Sequence, residues 1–407
     1  MNILLVIGFL LIVGYSLGYL VSKIGLPQII GYIATGILFS PYSFGFLDKS
    51  MLPQTEPLID VSLAFIAFEV GGTLKWKKLK SYGKVLMSIL LMESLLPFFL
   101  VLTFISVAGF LFPNIFSIGS HLVLILALLI APLASPTDPT ATIAVMHQYK
   151  VKGQVSDTIM EVAALDDAMG VLLFSVSIAI AAIVAGNGDT SIGISILQAL
   201  YKIAGAIFLG GVLGWLTGFL SKIFKIENEG QWIVLLAAII IFTFGISSYL
   251  KLDEILAAMA LGAFITNFNK QSKLLFKIVE RYTEALIMLF FFILSGLHLD
   301  IFAIPDATLL IVIFVLLRII GKYFGARLGA YWAKAPEKVQ KYTGGGLIPQ
   351  GGIVIGLALM ISKNPDFAKI SHTLLAVIMG SAIFHELIGP LAAIQTLKKA
   401  GEIPDKS

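Results

Sequence analysis

Long apolar runs, separated by short polar or glycine- and proline-rich breaks, cover almost the whole chain. A run of about 20 apolar residues is long enough to cross a bilayer as a helix. The first run lacks a preceding basic segment, so we expect it to remain as a helix rather than to be cleaved as a signal peptide. The pattern predicts an all-α polytopic membrane protein with about thirteen transmembrane helices, near residues 3–22, 28–47, 58–74, 84–112, 120–147, 156–184, 193–221, 230–249, 253–268, 275–298, 303–332, 342–362 and 370–397.

Two of these predicted helices contain breaks. The fifth holds a proline-rich segment and the twelfth a glycine-rich one, and neither permits an undisturbed helix, because proline removes an amide donor and clashes with a preceding carbonyl. Corresponding breaks in two halves of a chain indicate inverted repeats around a substrate site. We therefore predict two six-helix inverted repeats, helices 1–6 and 8–13, whose broken helices cross near Ser135–Pro139 and Pro349–Gly352. The broken-helix residues are Pro136, Pro139, Pro349, Gln350 and Gly351.

Two adjacent carboxylates interrupt the sixth apolar run. If Ser156 is the N-cap, Asp166 and Asp167 lie ten residues into the helix. At a rise of about 1.5 Å per residue this is about 15 Å, the middle of a hydrocarbon core. Carboxylates at that depth mark ion or proton pathways. Adjacent helical residues face different neighbours, which predicts separate roles for the two aspartates.

Further polar residues converge at the same depth, roughly 13–18 Å from the predicted cytoplasmic boundary. Helices 4–6 and 11–13 each carry one such residue or a break, so we expect them to form one transport bundle. Lys322 is the expected counterion of one aspartate, and Arg318 is expected to form a structural ion pair with Glu93 or Glu386. Glu161 is placed either in a cytoplasmic funnel or near the membrane interface.

An oxygen-rich site at an unwound helix suits a hard monovalent cation. Ser135, Thr137, Asp138 and the carbonyls between them form one predicted wall, and Asp167 is the charged partner of the cation, Na⁺ or K⁺. Because a proton and a cation can compete for the same carboxylates, the site predicts an antiporter that needs no cofactor.

Composition and charge agree with a membrane protein. Of 407 residues, 58% are hydrophobic and 13% are charged, whereas soluble domains have about 25% charged residues. The absence of cysteine excludes disulfides and thiolate chemistry. Alternate loops hold nineteen lysines on one side against four on the other, which predicts an outside N-terminus and a cytoplasmic C-terminus in a prokaryotic plasma membrane. We identify no nucleic-acid partner and no nucleotide-binding domain.

Three other functions remain as alternatives. A cation channel or cation-gated sensor could use the same scaffold, and counter-ion dependence of the flux would separate it from an antiporter. An intramembrane aspartyl protease also uses two aspartates, but it places them on separate helices, commonly with a Gly-x-Gly-Asp motif that this chain lacks. A symporter of organic anions would not need Asp166, Asp167 and Lys322 together.

Six motifs together resemble the monovalent cation:proton antiporters. The likeness covers nearly the whole membrane region, and the double aspartate resembles the electrogenic, Kef-like branch called cation:proton antiporter-2. The break Thr137-Asp138-Pro139 is more similar to the electroneutral branch, and Ile353 stands where many relatives have glutamate. The motifs are Leu26–Gly36, Ser135–Pro139, Leu165–Asp167, Ser295–Asp300, Gly321–Gly325 and Pro349–Gly352.

The resemblance implies electrogenic exchange of Na⁺, with K⁺ or Li⁺ as alternatives, in the service of pH homeostasis. It places ion binding on Asp167, and the lysine-paired aspartate and its lysine on Asp166 and Lys322. It also implies a homodimer in which a core domain moves elevator-fashion against a dimerisation domain. The expected division is 1–83 for dimerisation helices 1–3, 84–184 for core helices 4–6, 185–300 for the linker and dimerisation helices 7–10, 301–397 for core helices 11–13, and 398–407 for a cytoplasmic tail.

Overall fold

The regular secondary structure of the computed structural model is helical in the residues that it describes, apart from one isolated β-bridge. These residues are 3–24, 28–43, 46–77, 83–112, 116, 119–138, 142, 146, 151–185, 192–226, 228–299, 302 and 304–403. Six of the helices found there are long and apolar enough to cross a membrane. The α-helices are α1 Ile3–Lys23, α2 Gln28–Phe39, α3 Leu52–Thr73, α4 Lys84–Leu111, α5 Ser120–Ile130, α6 Gln154–Ala185, α7 Ile192–Ile223, α8 Glu229–Tyr249, α9 Glu254–Phe268, α10 Ser272–Val279, α11 Ala285–Leu297, α12 Ile304–Trp332, α13 Glu337–Tyr342, α14 Ile353–Lys363 and α15 Ser371–Ala400.

Several helix limits differ from the prediction, and proline explains two of them. The second predicted helix ends early, at Phe39, because Pro41 disfavours helical geometry at the residue before it. The third begins early, at Leu52, since Pro53 in the first turn needs no amide partner. The tenth is divided by a π-helical turn, Glu280–Glu284. The predicted tail residues from 398 to Ala400 continue the last helix.

The chain forms two compact units, each assembled from two separate stretches. The first unit contains Met1–Leu79 and Gly186–His298, and thus α1–α3 and α7–α11. Its core is an apolar cluster that includes Phe68, Trp232 and Leu275. Burial of such side chains in one contiguous cluster holds helices from both stretches together.

The second unit contains Lys80–Ala185 and Leu299–Ser407, and thus α4–α6 and α12–α15. Here α4 packs lengthwise against α12. Three glycines of α12, spaced four residues apart, face α4 so closely that a Cβ on any of them would overlap the α4 backbone. Small residues in such a row allow two membrane helices to approach closely. The glycines are Gly321, Gly325 and Gly329.

Candidate ion and proton site

Two broken segments meet inside the second unit. The fifth span leaves α-helical geometry after Ile130 and continues as a 3₁₀ turn, Pro132–Ala134. The partner segment is a 3₁₀ turn, Thr343–Leu347, that precedes α14. Thr137 and Gln350 pair as an isolated antiparallel bridge. The predicted crossing of the two breaks is therefore confirmed, except at Pro139, which lies outside the described residues.

Backbone hydrogen bonds fasten this crossing. The Asp138 amide donates to the Pro349 carbonyl over 3.2 Å, and the Gly351 amide donates to the Pro136 carbonyl over 3.2 Å. The Thr137 hydroxyl donates to the carbonyl of Leu347 over 3.3 Å. Opened helices leave backbone groups without intrahelical partners. Here each broken segment supplies hydrogen-bond partners for some of those groups in the other segment.

Arg318 on α12 serves the same crossing. Its side chain is completely buried, and its guanidinium donates to the carbonyls of Ile348, Pro136 and Pro349. The last two bonds measure 2.7 and 3.0 Å. A planar guanidinium can bind several acceptors at once, and its positive charge opposes the partial negative charge of the freed carbonyls.

Lys322 lies one turn further along α12 and binds two carboxylates. Its ammonium group contacts Glu93 on α4 and lies 3.0 Å from Asp166 Oδ2 on α6. All three side chains are fully buried. The expected Lys322–Asp166 pair is thus present, whereas the predicted partner of Glu93 is corrected from Arg318 to Lys322. Close packing at Gly325 explains the correction, because it places the level of α12 next to Lys322, rather than the level of Arg318 one turn earlier, against Glu93.

Asp167 occupies a different environment from Asp166. It is half-buried, and its Oδ1 lies 3.0 Å from the position that a Cβ on Gly351 would take. Asp166 and Asp138 are near enough to repel its negative charge. Asp167 therefore lies beside the crossing, as predicted, among other carboxylates and without the direct lysine contact that Asp166 has.

Three oxygens at this place lack hydrogen-bond partners within the described part of the chain. They are Ser135 Oγ, Asp166 Oδ1 and Asp167 Oδ1, and all three are buried. Buried polar atoms are normally paired, so such a group indicates a place for a proton, an ion or water. Hydroxyl and carboxylate oxygens are the ligands that hard cations prefer. In the described residues, no cluster of three or more His, Cys, Asp or Glu side chains is arranged to hold a metal ion.

Two further predicted supporting residues belong to α6 and α15. Glu161 is exposed on α6. Glu386 belongs to α15, but its side chain lies outside the described residues, so a pair with Arg318 stays a prediction.

The sequence analysis missed His385. This side chain is completely buried on α15, and its Nδ1 lies 2.8 Å from Gln350 Oε1. Ser381 Oγ lies 3.2 Å from the same oxygen. Gln350 therefore contributes a side-chain network as well as backbone to the crossing. The available signal was a histidine within an apolar run, where an ionisable residue is unusual.

The start of α6 also differs from the prediction. The helix begins at Gln154 rather than after an N-cap at Ser156. Its first amides are bound by the Glu402 carboxylate, with 2.7 Å to the Val155 amide and 2.9 Å to the Ser156 amide. A carboxylate at a helix N-terminus satisfies orphan donors and complements the helix dipole. Asp166 thus lies twelve residues after the first residue of α6.

Buried charges beside two broken and touching helix segments define a membrane protein of the secondary ion transporter class. The chain belongs to the sodium/hydrogen exchanger family, whose transmembrane region matches residues 7–399. It is 22% identical over 396 residues to a Na⁺/H⁺ antiporter of Enterococcus hirae, covering 96% of this chain and 97% of that protein. It is 24% identical over 352 residues to the Na⁺/H⁺-K⁺ antiporter GerN of Bacillus cereus, covering 84% and 83% of the two chains.

The fold is also similar to a solved structure, the sodium proton antiporter MjNhaP1 from Methanocaldococcus jannaschii. The TM-score is 0.73 at 18% identity, over 98% of this chain and 100% of that chain. Family membership confirms the resemblance predicted from the motifs, and these relatives are transporters rather than enzymes. The assignment to the Kef-like branch stays a prediction.

Proposed function

We propose that the protein exchanges a monovalent cation for protons across the membrane, with Na⁺ as the first candidate and K⁺ or Li⁺ as alternatives. The observation that carries the proposal is the group of unpaired buried oxygens on Ser135, Asp166 and Asp167 beside the crossed breaks. These oxygens can replace part of the water shell of a small cation. The names of the relatives, a Na⁺/H⁺ antiporter and a Na⁺/H⁺-K⁺ antiporter, support the same activity.

Each aspartate has its own part in this exchange. Asp167 supplies the negative charge for the cation, with oxygens of Ser135, Thr137 and Asp138 as further ligands. Asp166 is paired with Lys322 when no cation is bound, and the pair breaks when Asp166 takes up a proton. Since Asp167 also takes up a proton when the cation leaves, two protons are exchanged for one cation.

This stoichiometry moves one net charge in each cycle. A unit charge crossing the membrane is worth about 2.3 kcal/mol per 100 mV, so exchange responds to the membrane potential. We propose alternating access by an elevator movement of a core domain, 84–184 with 301–397, against a dimerisation domain in a homodimer. The two inverted repeats and the cytoplasmic C-terminus belong to the same proposal.

The test uses purified protein in liposomes with a pH-sensitive dye inside. An imposed Na⁺, K⁺ or Li⁺ gradient should drive proton movement in the opposite direction. The measurement is made first with the membrane potential clamped and then with the potential free to change. Cation flux without proton movement would contradict the proposal and favour a channel. Exchange that ignores the membrane potential would contradict the electrogenic stoichiometry and leave an electroneutral exchanger.

A further inference from the structure

One face of α15 packs along the second broken segment. Ser381, His385 and Gly389 recur every four residues, which places them on the same face of the helix. The first two contact the carboxamide of Gln350. A Cβ on Gly389 would lie 2.9 Å from the Cα of Pro349, so the backbone of the helix itself touches the break there.

The carboxamide of Gln350 is held through its oxygen. Nδ1 of His385 lies 2.8 Å from Gln350 Oε1, and Ser381 Oγ lies 3.2 Å from the same atom. The amide nitrogen of Gln350 has no hydrogen-bond partner within the described part of the chain. The Ser381 hydroxyl also donates to the Ile378 carbonyl over 2.8 Å, and it has only one proton for the two acceptors. His385 is therefore the principal anchor of this carboxamide.

The ring of His385 is itself held in place. The side chain is completely buried, and the backbone carbonyl of Ser381, one turn earlier, also contacts the ring. Since the carbonyl oxygen of Gln350 can only accept, the histidine donates through Nδ1. Its Nε2 has no partner among the described residues. The anchor is thus one donated hydrogen bond, which the side-chain amide of an asparagine could reproduce.

The backbone next to this carboxamide borders the proposed cation ligands. Gln350 forms the isolated bridge with Thr137. The following residue, Gly351, donates its amide to the Pro136 carbonyl over 3.2 Å, and a Cβ on Gly351 would lie 3.0 Å from Asp167 Oδ1. A small shift of this segment therefore changes the space between the oxygens of Thr137 and Asp167. Selectivity among cations depends on the size of the cavity and on the flexibility of its ligands.

We propose that His385 determines how strictly the site discriminates between Na⁺ and K⁺. It holds Gln350 against α15 and so fixes the wall that the second broken segment contributes to the site. Without this anchor the wall yields, the site accepts either cation, and discrimination falls. His385 acts through Gln350, so it is a positioning residue and not a cation ligand. The inference rests on the proposed cation:proton exchange and names a specificity determinant of the same site.

Substitutions at position 385 test this inference in proteoliposomes. The readout is the ratio between the half-saturating concentrations of Na⁺ and K⁺. His385→Leu fills the space but removes the donor, and the ratio should move about fivefold toward one, the fold-change of one hydrogen bond worth about 1 kcal/mol. His385→Asn keeps a donor at the position of Nδ1 and should stay within about twofold of the unmodified protein.

The order of these two variants separates anchoring from packing. If His385 only filled space, the apolar leucine would be the better substitute, and asparagine would be the worse one. Ser381→Ala removes the weaker contact and should move the ratio in the same direction by about twofold. His372→Leu replaces an exposed histidine on the same helix and serves as the matched control without a shift.

Amide hydrogen exchange measures the anchor without transport. In mass-spectrometric measurements, the Gly351 amide should exchange about fivefold faster in His385→Leu and at the unmodified rate in His385→Asn. Unmodified protein that does not distinguish Na⁺ from K⁺ overturns the inference, and so does a ratio that leucine preserves better than asparagine. If the unmodified protein exchanges no cation for protons, the proposed function fails, and hydrogen exchange still decides whether His385 anchors Gln350.

Discussion

Removal of Arg318 should release the two broken segments from each other. Its buried guanidinium binds three backbone carbonyls, those of Pro136, Ile348 and Pro349. Each buried group left without its hydrogen bond costs about 1–3 kcal/mol. Because the three acceptors share one donor group, their costs are not additive, and we expect Arg318→Ala to lower the free energy of unfolding by about 3–5 kcal/mol.

Arg318→Lys should recover part of this loss. A lysine keeps the positive charge but has no planar fork, so it cannot reproduce the hydrogen bonds to carbonyls on both broken segments. We expect a loss of about half that of Arg318→Ala. Thermal unfolding in detergent measures both variants, and a decrease of about 5 °C in the apparent melting temperature is expected for Arg318→Ala.

Arg327→Ala is the matched control, because Arg327 is exposed on the same helix. It should unfold within about 0.5 kcal/mol of the unmodified protein. Equal melting temperatures for Arg318→Ala and Arg327→Ala would refute the reasoning, since the buried guanidinium would then contribute nothing that an exposed one does not. A loss of stability with unchanged cation-dependent exchange would show that the crossing tolerates separation of its two segments.

Three further predictions follow from individual contacts. Asp167→Asn removes the charge proposed for cation binding and should abolish cation-dependent proton exchange in proteoliposomes. Lys322→Ala leaves two buried carboxylates without their cation, so it should lower the free energy of unfolding by about 3–5 kcal/mol, measured by thermal unfolding. Glu402→Gln weakens the cap of α6 by about 1 kcal/mol, which should accelerate hydrogen exchange of the amides at 155–158 about fivefold in mass-spectrometric measurements.

Each of these predictions has a contradicting outcome. Full cation-dependent proton exchange in Asp167→Asn would mean that other oxygens of the site bind the cation. An unchanged melting temperature for Lys322→Ala would show that the carboxylates are neutral without the lysine. The control for Glu402→Gln is Asp306→Asn in the first turn of α12. Equal hydrogen-exchange rates of the α6 amides with and without Glu402 would show that its carboxylate does not stabilise the start of the helix.

The broken segments were predictable because their cause is local. Pro132 and Pro136 open a helix wherever they stand in its interior, and the glycines before Pro349 weaken the partner span in the same way. The early start of α3 was missed, since Gln54 and Glu56 gave the first turns of the helix a polar pattern typical of a loop. The short helix α13 was not predicted for a related reason, because its six mostly polar residues carry no apolar periodicity.

The partners of the buried charges were less predictable. Depth counting placed Glu93, Arg318 and Lys322 at similar levels in the membrane, so either cation could have bound the glutamate. Because these two cations are four residues apart on the same face of α12, the level along the helix axis decides between them, and Gly325, three residues after Lys322, lies against the backbone of Glu93. The cap of α6 binds Glu402 to two amides that lie 247 and 246 positions earlier in the chain. Over such a separation no local sequence pattern gives a signal.

The amino-acid sequence by itself determined the membrane class, the position of most helices and the places where two of them open. These properties depend on the length of apolar runs and on proline and glycine chemistry, which act over a few residues. Only the tertiary structure decided that Lys322 holds two carboxylates and that Arg318 binds the carbonyls of both breaks. Such contacts depend on how closely and at what rotation helices distant in sequence pack, and a difference of one helical turn changes which charge meets which partner.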